Sequence, residues 1–183
     1  MIDGKMMLQL VLKRQSDRKY SDKPVEDDKI RRIITAARMS PSACNAQPWK
    51  FITVTDKNLI QKLAEAASAG TIGMNKFVNQ APLLLVIVRE KANLTSEIGS
   101  TIKNKDYSRI DIGIAACTIC LQASSEGLGS CMIGWFNEKS VRSILSIPAS
   151  KRVELLITIG YSLSETREKK RKPADVTTSC NRY

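Results

Sequence analysis

A chain of 183 residues and 20.3 kDa is long enough to bury a core of ordinary size. With 43% hydrophobic and 26% charged residues its composition excludes a disordered protein, and no apolar run reaches the ~18 residues of a membrane-spanning helix. A net charge of +11 with no His favours anionic partners and excludes every catalytic scheme built on imidazole.

In chain order, residues 5–14 predict a helix with Met6, Met7, Leu8, Leu10 and Val11 on a broad apolar stripe, which delivers Arg14 at its end. Arg14-Gln-Ser-Asp-Arg18 then places two guanidinium groups and a hydroxyl close together, a set that suits a phosphate as well as a solvated helix end. A turn at Ser21–Pro24 leads into a second helix, whose Glu26, Asp27 and Asp28 suit an N-terminus and whose Ile30, Ile33, Ile34 and Ala37 form a buried face. Ser40-Pro41 stops it. The loop Pro41-Ser-Ala-Cys-Asn-Ala-Gln-Pro-Trp49 is rich in small donors, which serve either turn geometry or a ligand.

Lys50–Thr55 alternates and is β-branched, hence a strand. Asp56 caps a helix to about Ala69, with Gly70 as its stop, and a loop with a short helix fills Thr71–Gln80. Leu83–Val88 is apolar throughout, as expected of a strand covered on both faces. Lys91–Lys105 is polar and aperiodic and reads as a surface loop or a lid over residues 91–106. The longest helix runs from Tyr107 to about Glu126, and Gly127 closes it. A strand at Ser130–Ile133, a helix at Glu138–Leu145 and a strand at Val153–Ile159 follow. The alternation predicts one α+β domain, 1–183, with a single sheet.

Cys44, Cys117, Cys120, Cys131 and Cys180 lack disulfide-like regularity and are expected to be reduced. Cys117-Thr-Ile-Cys120 lies in an apolar stretch and reads as buried packing, not as a metal site. Trp49 and Trp135 are also expected to pack. Met1–Lys5 has no signal-peptide pattern, so the expected compartment is the cytoplasm. The basic tail, Arg167 and Lys169–Lys172, has no interleaved aromatic residues, and neither nucleic acid nor a membrane is an expected partner.

Taken in order, Arg-x-Ser-x-Arg at 14–18, Pro24-Val25, Pro-Ser-x-x-Asn-x-Gln-Pro-Trp at 41–49, Gln80-Ala81-Pro82, Gly127-Leu128-Gly129, Ile133-Gly134, Gly160-Tyr161 and the basic tail resemble the nitroreductase family of FMN-dependent oxidoreductases. That resemblance implies a mostly antiparallel central sheet flanked by helices, and a homodimer with FMN at its interface. It implies hydride transfer from NADH or NADPH through flavin N5 to an electron-poor acceptor such as a nitroaromatic or quinone. Flavin reduction, dehalogenation, another specialised flavoenzyme activity and non-enzymatic flavin binding stand as alternatives.

Carried over by position, Arg14 and Ser16 match phosphate and ribityl contacts, Gln15 a backbone contact to the ring, and Arg18 the cation near N1/C2=O. Pro41, Ser42 and Asn45 match the loop of the second subunit, and Asn75 the pyrimidine edge. Ile133 and Gly134 match the backbone near N5, and Lys169 and Arg171 the C-terminal cations on the phosphate. No protein side chain is expected to carry the chemistry, and no metal is implied.

Overall fold

The protein is described by a computed structural model covering residues 3–68, 74–93, 99 and 102–183. Along the chain run α1 (Gly4–Lys13), α2 (Asp27–Arg38), β1 (Trp49–Val54), α3 (Lys57–Ala67), β2 (Leu83–Arg89), α4 (Tyr107–Ser125), β3 (Gly129–Ile133), α5 (Glu138–Ile144), β4 (Arg152–Gly160) and α6 (Ala174–Thr177). The predicted helices and strands are present within a residue or two; α6 lies in a tail where no helix was expected. Gly70, and residues 94–98 and 100–101 of the proposed lid, lie outside the described residues.

The strands form one sheet in the order β1-β2-β4-β3, and every pairing is antiparallel. The continuous apolar run of β2 follows from its place between two cores. Leu83, Leu85 and Ile87 join Ile33 and Ala37 of α2 and Ile112, Ala116 and Ile119 of α4. Leu84, Val86 and Val88 point the other way, into Ile60, Leu63 and Ala67 of α3 and Val141 of α5. The sheet is thus the middle of three layers, covered by α2 and α4 on one side and by α3 and α5 on the other.

Local chemistry sets the boundaries. Asp56 accepts from the Leu59 amide at 2.8 Å and Asn137 from the Ser140 amide at 3.0 Å, so each satisfies an amide in the first turn of its helix. At the far end of α4, Gly127 takes φ +76°. Its amide reaches Ser124 O at 3.2 Å and the Leu128 amide reaches Ala123 O at 2.9 Å, a paired closure that a side chain at 127 would strain. This turn brings the chain directly into β3.

Two expectations about burial do not hold within the single chain. No residue of α1 is buried, and Met6, Met7, Leu8, Val11 and Leu12 are all exposed, because one side of α1 rests on α4 and the layers offer it nothing else to cover. Of the Cys-x-x-Cys pair only Cys120 is buried; Cys117 lies one helical step away, on the open face of α4 shared with Ile110 and Ile114.

The start of α2 is tied to the end of β4 by one polar cluster. The Tyr161 hydroxyl donates to Glu26 at 2.7 Å, Lys29 Nζ donates to that hydroxyl at 2.8 Å, and Lys23 Nζ sits 4.1 Å from the ring centroid. The Tyr161 hydrogen bond, aided by Lys23, pulls the Glu26 carboxyl from its ordinary 4.5 down to about 2. A carboxyl depressed on folding stabilises above its unfolded value and loses that contribution as the acid form fills. Thermal melts followed by circular dichroism should therefore show Glu26→Gln less stable than the parent at pH 7. The gap should close as the pH falls from 4.5 to about 2.

Candidate functional site

β3 is an outer strand of the sheet, and the segment after α1 lies along its free edge. Ser16 and Ser130 form a parallel bridge, and the Asp17 amide donates to Ser130 O at 3.0 Å. Arg14, Gln15, Ser16 and Arg18 are thereby held in a row beside β3, and the edge is partly capped against pairing with another chain. The C-terminal tail crosses over this row. Gln15 Nε2 donates to Glu165 O at 2.9 Å, the Arg167 amide donates to Gln15 Oε1 at 3.0 Å, and the Arg167 guanidinium donates to Ser16 O at 2.7 Å. Lys169 Nζ donates to Val11 O at 2.9 Å and also to Arg14 O, both at the C-terminal end of α1.

The outcome is a cleft of about 640 Å³ walled by Arg14, Gln15, Ser16, Arg18 and residues 167–171. Six of its nine lining residues are cationic and only Glu168 is anionic. Burial, then the neighbouring Arg14 and Arg171, lower the affinity of Lys169 for its proton. Lys169 already spends its ammonium on two carbonyls, whereas among the described residues the Arg171 fork makes one bond, to the adjacent Lys170 O at 2.8 Å.

Asp17 was not singled out in the sequence, since an acid between two basic residues reads as a solvated charge. It is only 5% exposed. Its Oδ1 accepts from Gln15 Nε2 at 2.9 Å and from Ser162 Oγ at 2.7 Å, and its carbonyl accepts from the Tyr20 hydroxyl at 2.7 Å. Tyr20 is itself buried, its hydroxyl oxygen also lies within hydrogen-bond distance of the Thr158 hydroxyl at 2.8 Å, and desolvation raises its pKa well above the ordinary value. Gly129 makes room for the carboxylate: a Cβ there would stand 2.6 Å from Asp17 Oδ2 and 2.8 Å from Ser162 Cβ. Beneath the row, Cys120 and Cys131 are buried, and burial pushes both thiols up, so they remain protonated and apolar at neutral pH.

At the other end of β3, Ile133 is buried and Gly134 is exposed. Among the described residues a Cβ at Gly134 would meet only Leu155 Cδ2, at 4.0 Å, so the packing of those residues does not demand glycine there. Asn75, in left-handed backbone at φ 63°, donates its side-chain amide to Ala67 O at 3.1 Å and Trp135 O at 3.0 Å, which fixes the Trp135–Phe136 peptide, one residue beyond Gly134. The Arg18 guanidinium carbon lies 6.0 Å from the Phe77 ring centroid, which links the cationic row to the same end. Trp135 was expected to pack but is 64% exposed, on the rim beside Gly134. Trp49 is buried and stacks on Phe51, as expected of a packing residue.

Pro41, Ser42 and Asn45 do not line the cleft. Their loop carries left-handed backbone at Cys44, Asn45 and Gln47, and it is moored by Ser42 Oγ to the Gln47 amide at 3.0 Å. The Ala43 amide donates to Asp111 Oδ1 at 3.1 Å near the start of α4; burial raises the Asp111 pKa and this bond counters it. Arg14 shares a small cavity with Ser124, near the end of the same helix. At 1.5 Å per residue the loop and the cationic row are about 20 Å apart along α4. One chain therefore assembles most of the expected set and keeps this loop away from it.

Substituting Gly129→Ala tests how firmly Asp17 is seated. Crowding of the carboxylate by the new methyl should cost about 1–3 kcal/mol in urea unfolding. A change within error would mean that Asp17 moves aside freely.

The sequence profile of the nitroreductase family matches residues 11–73 and 71–161. The oxygen-insensitive NADPH nitroreductase of Helicobacter acinonychis is 30% identical over 176 residues, covering 80% of this chain and 82% of that protein. The FMN reductase [NAD(P)H] of Bacillus subtilis is 28% identical over 173 residues, covering 88% and 68%. Among solved structures, the FMN-dependent nitroreductase of Clostridium difficile R20291 superposes with a TM-score of 0.78 at 32% identity, covering 96% of this chain and 99% of that one.

Proposed function

The chain belongs to the nitroreductase family, and from that premise we propose that it is an FMN-dependent NAD(P)H oxidoreductase acting on electron-poor acceptors such as nitroaromatics and quinones. The observation that carries this reading is the open space at Gly134. A glycine that the chain's own packing does not require lies where a planar ligand would rest on the backbone. The cationic cleft fits the other end of the same group, since a phosphate dianion needs several fixed donors. When bound, FMN supplies reversible hydride acceptance at N5 from the nicotinamide and its onward transfer to the acceptor.

The roles of the chain's residues follow from their positions. Arg14, Ser16 and Arg171 hold the phosphate and its ribityl neighbour, while Lys169, bonded to the end of α1, keeps the tail in place. Arg18, at the Phe77 end of the row, presents positive charge to the pyrimidine edge, where negative charge develops on reduction. Asn75 holds the Trp135 carbonyl one residue beyond Gly134, and Ile133 anchors the strand end before it. Gln15 lends its backbone to the ring while its side chain secures the tail.

The active form is a homodimer, in which Pro41, Ser42 and Asn45 of one copy approach the cleft of the other. Supporting this are the ~20 Å that separate loop and cleft along α4 and the apolar surface left open on α1 and α4. The whole chain works as one FMN-binding domain in the cytoplasm, where nicotinamide cofactors are reduced. Among the described residues no helix is long and apolar enough to cross a membrane.

Purified protein should be yellow, with a flavin band bleached by NADH or NADPH under nitrogen and restored by a nitrofuran or menadione. Protein that stays colourless after FMN addition and dialysis would sink the reading. Arg18→Ala should slow flavin reduction in stopped-flow on the order of tenfold or more, with partial recovery in Arg18→Lys. Leu8→Asp on α1 should roughly halve the mass seen by light scattering and weaken FMN retention together, because both depend on the same interface.

A further inference from the structure

The cleft carries more positive charge than one flavin phosphate neutralises. Arg14, Arg18, Arg167, Lys169, Lys170 and Arg171 face a single carboxylate, Glu168. A phosphomonoester brings a charge of only about −1.5 to −2. With the Asp17 carboxylate buried behind the row also counted, about two positive charges are left over once it is seated.

That surplus is held in place, unlike the charge of a solvated tail. The tail is fastened at Glu165, Arg167 and Lys169 by hydrogen bonds to Gln15, Ser16 and the last turn of α1. Lys170 lies between these fastenings and Arg171, and it lines the cleft with an ammonium that bonds to no group among the described residues. Lys172 extends the positive charge two residues further along the tail.

The reductant is the other anion that must approach the bound flavin in every turnover. NADPH differs from NADH only in the phosphate on its adenosine 2′-hydroxyl. A strongly hydrated point charge such as lysine, poised at the rim, suits a phosphate that arrives and departs with each cycle. We infer that Lys170 and Lys172 recognise the 2′-phosphate of NADPH and make it the preferred reductant, a conclusion that rests on the flavin assignment above.

The test compares NADP⁺ with NAD⁺, which differ by that phosphate alone, binding to oxidised FMN-loaded protein by isothermal titration calorimetry. Wild type should bind NADP⁺ about tenfold more tightly, and the advantage should shrink as salt is raised. In Lys170→Ala/Lys172→Ala the two affinities should converge through a loss on NADP⁺ alone. In steady state KM for NADPH should rise about tenfold, with KM for NADH unchanged. Equal affinities in wild type would overturn the inference, and so would a variant that weakens both nucleotides alike. The visible flavin band, followed in both proteins, separates such a failure from a failure of the flavin assignment.

Discussion

The arrangement depends on a buried carboxylate holding a basic segment against the open edge of a sheet. Asp17 lies between Arg18 and the Arg14–Ser16 run, accepts from Gln15 and Ser162, and fits only because Gly129 has no side chain. Without it, two arginines and the neutral Gln15 and Ser16 between them would trail from α1 into solvent. With it, their backbone is registered on β3 and their side chains share one cleft with the C-terminal tail. Two chain ends that are 150 residues apart in sequence meet through Gln15 and Glu165. The order of the cations is thus a property of the sheet edge and of the glycine next to it.

Much of the architecture was legible because it follows from short-range rules. The unbroken apolar run of β2 announced a strand with both faces covered, and the two cores on either side account for it residue by residue. Asp56 and Gly127 marked helix limits through amides and carbonyls that must be satisfied locally, and the acids opening α2 did so through the favourable field at a helix start. The grouping of Arg14, Ser16 and Arg18 with the basic tail was legible only through the resemblance to a family, since nothing local in either segment points toward the other.

What escaped the sequence depends on surroundings. Asp17 looks like any polar residue between arginines until Ser162 and Gly129 are brought against it by β3 and β4. Cys117 and Cys120 share an apolar stretch and stand only about 60° apart around α4, yet the edge of its covered face falls between them, leaving Cys117 exposed and Cys120 buried. Trp135 satisfies every composition rule for a core residue and still stands in the open, because β3 ends at Ile133 and Asn75 holds the following turn outward. Lysines of the tail cannot be told apart by composition; the carbonyls of Val11 and Arg14 distinguish Lys169 from its neighbours.

This last contact bears on how α1 meets an anion. Sites for phosphate are commonly built at the start of a helix, where free amides give a favourable field. Here the helix arrives by its other end, whose unpaired carbonyls carry roughly half a negative charge and would repel a phosphate. The ammonium of Lys169 sits on two of those carbonyls and masks that macrodipole at its source. The protein can therefore use a helix of the wrong polarity to aim Arg14, at the cost of committing one cation of its tail to cancelling the field it inherits.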